Sequence, residues 1–250
     1  MKKIHLYKVN YEGVNFIEIK EFFEREGFEV FLEEDPLLKL EGEELNKKAE
    51  YLAKIRVLDP LKRYLNENPF PVEIDYERRN LKNLKRKKGI VYDGLKFLKI
   101  YKEFISPLQR DLESSFTIFF TDQLLATYSD RWHLRVILFS FPVLISIPGV
   151  IYAPAKDRDY YIAKSLKSLP KYKDYYLIEG DERLNRILIS YVIQGIFFYD
   201  SILKRRDFLF CEDKNCILYN SHFQREVINA QYNLSFCELH KNEWDKIIKY

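Results

Sequence analysis

Cys211, Cys216, Cys237 and His240 are the residues of this chain whose types and spacing could do chemistry. They read C-x4-C-x20-C-x2-H, two short-spaced pairs about twenty residues apart. Zinc takes four soft ligands at tetrahedral angles, and two such pairs deliver them from a knuckle and a turn, with no position left open to substrate. The spacing predicts a structural Cys3His zinc, about one ion per chain. His222 is the other imidazole that could serve as fourth ligand, although it has no partner at knuckle spacing. The competing reading is three buried thiols and a surface histidine, since free cysteine packs as a small hydrophobe. That reading leaves unexplained why all three cysteines fall in the last forty residues in paired spacing.

Other groups are weaker candidates. Asp122 follows Thr121 at the end of an apolar segment, where a carboxylate either serves a site or caps a turn. His133, beside Trp132, could titrate near neutral pH, but no Ser or Cys nucleophile can be paired with it from sequence. The run Lys156-Asp157-Arg158-Asp159 could frame a phosphate or form a solvated turn. Tyr160-Tyr161 and the tyrosines from Tyr172 to Tyr176 could present a peptide groove or cover a sheet. From Arg78 to Lys88 seven of eleven residues are basic, a stretch able to grip phosphates, but no aromatic residue lies within it for base stacking. Neither glycine-rich phosphate loop pattern occurs, which disfavours nucleotide-dependent enzymes.

The elements that must position these groups begin with strand, helix, strand at Ile4–Val9, Val14–Glu26 and Phe28–Glu33, the helix phased by Phe16, Ile19, Phe22 and Phe23 and stopped by Gly27. A second helix is expected from Glu43 to Val57, ending before Asp59-Pro60. Dense apolar segments at Phe116–Phe120, Leu134–Phe139 and Val143–Ile151 read as central strands. Asp181–Asp200 reads as a long buried helix. The uncharged stretch Val136–Ala153 is interrupted by Pro142, Pro148 and Gly149, so it predicts two strands and a turn and no membrane span. With 250 residues, 47% apolar and 32% charged, the chain can bury a real core, and the composition excludes collagen-like and disordered classes. A net charge of +3 lacks the basic excess of a dedicated nucleic-acid binder. The N-terminus opens into a strand pattern with no signal core, which predicts a cytoplasmic protein. Sparse Gly and a single Met fit selection against thermolabile residues.

The cysteine segment resembles the archaemetzincin family of zinc metallopeptidases. That family has HExxHxxGxxH followed at once by Cys, four residues, Cys-Val-Met, and later Phe-Cys-x2-Cys. Here stand Cys211, then Cys216-Ile217-Leu218, then Phe236-Cys237-Glu238-Leu239-His240. Phe120-Thr121-Asp122-Gln123 is similar to the family's Thr-Asp-Arg-Asp strand end, and Tyr51-Leu52-Ala53 fits its second helix. The resemblance implies an α/β fold with a metzincin-like mixed sheet, flanking helices and a C-terminal zinc knuckle, in one domain over residues 1–250. Within it, 181–250 would hold a degenerate active-site helix and the zinc subdomain. It also implies an archaeal origin.

The departure from the family pattern is as informative. With Cys211 aligned without gaps, the catalytic ligand positions fall on Asp200, Lys204 and Phe210 and the general base on Ser201. With Gly195 set inside the motif instead, they fall on Val192 and Ile196, with Ile193 as base. Neither set makes a zinc peptidase, which needs two imidazoles one helical turn apart, a third ligand and a carboxylate base. The chain has only His5, His133, His222 and His240, and Leu218 replaces the family's methionine. The expectation is a catalytically inactive relative that binds peptide or protein. Two alternatives stay open: an active hydrolase with a non-standard site in a cleft near Asp122 or Asp200, and a zinc-stabilised nucleic-acid binder using residues 78–88.

Overall fold

The computed structural model describes residues 2–83, 89–105, 115–166 and 176–249. The chain opens with β1 (Lys3–Lys8), α1 (Phe16–Arg25) and β2 (Glu29–Glu34), the strands pairing in parallel with Ile4 opposite Val30. Asn15 caps α1 by accepting from the backbone of Ile17, and Phe16, Ile19 and Phe23 face inward, as the spacing requires. Next come α2 (Gly42–Lys54), the hairpin β3 (Val57–Asp59) and β4 (Tyr64–Leu65), α3 (Pro71–Lys82), β5 (Val91–Asp93) and α4 (Gly94–Lys102). The second helix ends at Lys54, short of the expected Val57. Arg56 leaves the helical path to bond Glu77, and Val57 is already strand.

The middle of the chain supplies β6 (Ser115–Thr121), β7 (Leu124–Tyr128), β8 (Trp132–Arg135), β9 (Ile137–Leu138), β10 (Val143–Ser146) and α5 (Ile147–Tyr152). The expected strand Leu134–Phe139 is divided between β8 and β9 at Val136. The expected strand Val143–Ile151 is a strand for four residues and then a helix. Ser146 caps that helix at Gly149, and Pro148 occupies its first turn, where a missing N–H costs nothing. A continuous apolar run carries no period to separate the two states, so the capping serine and the proline decide.

A five-stranded sheet has the order β2-β1-β6-β10-β9, parallel except for β9, which closes one edge antiparallel. A second sheet has the order β5-β7-β8. Every residue of β6 is buried, as its central place demands. Alternation splits the core between the two faces: Ile4, Leu6, Ile118 and Val143 join one cluster, Tyr7, Phe119 and Leu144 the other.

After α6 (Arg158–Ser165) comes α7 (Leu184–Leu203), which packs on the first face together with α1. It starts at Leu184 because Asp181 is turned back to accept from the Arg183 backbone at 3.0 Å. Helix α7 is long and apolar enough to cross a membrane, but most of it is buried within the fold. The chain closes with α8 (Gln224–Val227), a π-helical turn (Ile228–Tyr232) and α9 (Glu238–Lys249). Trp244 of α9 packs on Phe28, Phe197 and Phe236 and donates its indole N–H to Glu26, which ties the C-terminus to the first helix.

Candidate metal centre and cleft

Three short segments bring the Cys/His group together. Cys211 donates its N–H to the Leu218 carbonyl, pairing the two sides of a knuckle, and Asp213 turns the chain between them by accepting from the Asn215 and Cys216 backbones. Ile217 N–H bonds the Ser235 carbonyl, which holds the knuckle against the segment leading to Cys237. Cys237 then sits immediately before α9, with His240 in its first turn.

All four ligand atoms lie within 4.8 Å of one another. A zinc–sulfur bond of about 2.3 Å sets tetrahedral sulfurs about 3.8 Å apart, and a shorter zinc–nitrogen bond sets sulfur and nitrogen slightly closer. The Cys211 and Cys237 sulfurs are 3.8 Å apart, and His240 Nδ1 is 3.5 Å from Cys216 Sγ and 3.1 Å from Cys237 Sγ. The donor set and its spacing therefore fit a zinc ion. Burial pushes the Cys211 thiol up, pushes Cys216 up to about 12, and pushes His240 down, so each group is driven towards neutrality. A divalent cation would reverse this for the thiols, because it binds them as thiolates. His222 is exposed and is not in the group; it lies instead in a neighbouring cleft.

That cleft, about 400 Å³, lies between the β8–β9 edge, the Ala153-Pro154 link after α5, helix α7 and the knuckle. Tyr191 and Gln194 come from α7, Phe210 precedes the first zinc-site cysteine, and Tyr219 to His222 follow the knuckle. The cleft and the Cys/His group thus share the segments around residues 210 and 219.

Neither alignment register places metal-binding groups in it. Asp200 is 4% exposed and forms ion pairs with Lys204 at 2.7 Å and Arg206 at 3.2 Å, and Arg206 continues to Glu243 of α9 at 2.8 Å. The first two register positions are therefore consumed in a salt bridge one helical turn apart. Val192, Ile193 and Ile196 are core residues. Asp122 is buried at the β6–β7 turn and accepts from the Gln123 side chain at 2.9 Å. Neither Asp122 nor Asp200 lines the cleft.

The remaining candidates are dispersed. His133 bonds Asp130 at 2.8 Å on the surface, and the Ser129 hydroxyl bonds the same carboxylate instead of the imidazole, so no nucleophile is paired with it. Asp157 pairs with Arg225 at 2.6 Å, and Lys156 lies over the Tyr160 ring. Of the basic run, residues 78–83 are described; Arg78 and Arg79 both pair with Asp75, and residues 84–88 lie outside the described residues. Tyr172 to Tyr175 lie outside them as well. The sequence does not reveal the cleft, because its lining comes from six separated segments. The local signal it does carry is Phe210 directly before Cys211 and Tyr219 three residues after Cys216.

Sheet order, helical cover and a C-terminal Cys/His group that could bind zinc define an α/β protein of archaemetzincin fold. The crystal structure of archaemetzincin from Methanopyrus kandleri matches with a TM-score of 0.52 over 100% of this chain and 96% of that one, at 12% identity. The chain belongs to the Probable metallopeptidase family (DUF6775), whose family model matches residues 1–247. A zinc-dependent peptidase from Methanocorpusculum labreanum aligns with a TM-score of 0.46 at 14% identity, covering 96% of this chain and 99% of that one. No curated protein sequence matches.

Proposed function

We propose that the zinc on Cys211, Cys216, Cys237 and His240 is structural, and that the chain binds peptides in the cleft without hydrolysing them. The observation that carries this reading is the make-up of the cleft: among the described residues no Asp or Glu lines it, and its one imidazole is His222. Zinc hydrolysis needs three protein ligands around an open position and a carboxylate to take the water's proton. A four-ligand site offers no such position; a bound zinc there would supply a cross-link. The chain's own residues do the rest. Cys211 and Cys216 pin the knuckle whose far side forms the cleft wall, and Gln194 on the floor donates to the Ile217 carbonyl at 2.8 Å, which fixes that wall to α7. On the opposite side, among the described residues, β9 pairs only with β10. Its outer edge is a template for an extended chain.

The test uses zinc-loaded protein, a labelled random nonapeptide pool and elemental analysis. Saturable binding, an intact peptide pool by mass spectrometry and about one zinc per chain are expected. Cleavage that chelation abolishes, or about two zinc ions per chain, overturns the reading.

A further inference from the structure

We propose that the cleft selects peptides carrying a carboxylate, and that Arg135 is the residue that reads it. This deepens the peptide-binding reading and rests on it.

Arg135 ends β8 directly across from Leu125 of β7, and its Nε donates to Thr127 Oγ1 on the same strand at 2.7 Å. That bond spends one guanidinium donor and fixes the stem. The two terminal nitrogens make no ion pair with a carboxylate among the described residues. The side chain is exposed and lines the cleft together with Thr127. A guanidinium held this way offers its terminal nitrogens as a planar fork, the geometry that grips a carboxylate with two parallel hydrogen bonds.

The rest of the lining agrees in sign. Among the described residues Arg135 is the only permanent charge lining the cleft, His222 is the other group able to carry a positive charge, and no acidic residue lines it to compete for the fork. Arg78 and Arg79, by contrast, are both answered by Asp75. Gln194 is 2% exposed and gives one of its two amide N–H groups to Ile217, and its Oε1 is an acceptor suited to a peptide N–H. Ile137, Leu138 and Phe210 line the cleft with apolar surface. A main chain in extended form, apolar side chains and one carboxylate at the Arg135 end match these groups one for one.

The probe is a set of fluorescein-labelled Ala/Leu nonapeptides with a single Glu or Gln at each position in turn, each made as C-terminal acid and C-terminal amide, titrated by anisotropy against zinc-loaded protein. At least one carboxylate form should bind about tenfold tighter than its amide partner. A gain confined to the Glu series assigns a side-chain carboxylate, and one confined to the acids assigns a peptide C-terminus. Arg135→Gln should erase the difference, so that acid and amide forms bind equally, with zinc content unchanged. Arg135→Glu should invert it in favour of a Lys-containing peptide. Equal affinity for acid and amide forms, or a preference that survives Arg135→Gln, overturns the selectivity while peptide binding stands. Failure of every peptide to bind overturns both.

Discussion

A thiol that holds its proton more tightly in the fold than in the unfolded chain stabilises the fold at low pH and withdraws that support as pH rises. Burial takes Cys216 from an ordinary value of about 9 up to about 12. Tyr191 and Tyr199 are both raised by burial as well. All three work in one direction, so in the metal-free protein the support these groups give should be full below about pH 9 and lost progressively towards pH 12. Urea titrations at stepped pH would show it, and a flat profile across that window would contradict it. Zinc changes the sign, because it binds the deprotonated thiols: the zinc-loaded protein should weaken on acidification as protons displace the metal. At this scale the sequence was legible where spacing carries the chemistry. The two cysteine pairs are local, and the knuckle turn at Asp213 forms within a few residues. The choice between His240 and His222 was not local, because it depends on where α9 docks through Trp244.

Glycines show how the elements around the cleft approach one another. A Cβ on Gly149 of α5 would stand 2.3 Å from the Arg135 carbonyl oxygen and 2.9 Å from Ser146 Oγ. Backbone cannot yield as a side chain tip can. Gly149→Ala should therefore cost about 1–3 kcal/mol and displace the end of β8, weakening any contact made by Arg135. A Cβ on Gly195 of α7 meets Val143 Cγ1 at 3.2 Å, a side chain that can shift. There the gain in helix propensity, about 1 kcal/mol, offsets the crowding, so Gly195→Ala should unfold within about 1 kcal/mol of the parent. Urea midpoints of the two variants check the contrast, and equal losses would refute it. The same junction marks where pattern reading stopped. The strand-helix-strand opening and β6 were legible because amphipathic period and a uniformly apolar strand each have one structural solution. From Val143 to Tyr152 the apolar run has two, and a single capping contact from Ser146 chooses between them. Helix α3 carries no clean apolar stripe, its buried residues being Glu77, Asn80 and Leu81, and it is fixed by tertiary contacts in which Arg56 and Tyr92 both donate to Glu77.

Over the whole molecule, the Cys/His group is not an appendage. Cys216, Ile217, Leu218 and Trp244 belong to the same buried cluster as β1, β6 and α7. Trp244 reaches Glu26 at the end of α1, and the ion pairs from Asp200 through Arg206 to Glu243 join the end of α7 to α9. Removing zinc should therefore destabilise the chain as one unit. Zinc at a thousandfold above its dissociation constant adds about 4 kcal/mol, which for a chain of this size shifts the unfolding midpoint by about 8–16 °C. The two tryptophans separate a global effect from a local one. Trp244 packs beside the metal group, whereas Trp132 lies in the second sheet and donates to the Lys62 carbonyl. Trp244→Phe leaves Trp132 as sole reporter, and Trp132→Phe leaves Trp244. Chelation, or the Cys211→Ser/Cys216→Ser double variant, should lower the midpoint seen by both reporters equally. A transition that moves for Trp244 and stays fixed for Trp132 would mean that the knuckle melts by itself. The metal would then set the wall of the cleft and leave the rest of the fold untouched.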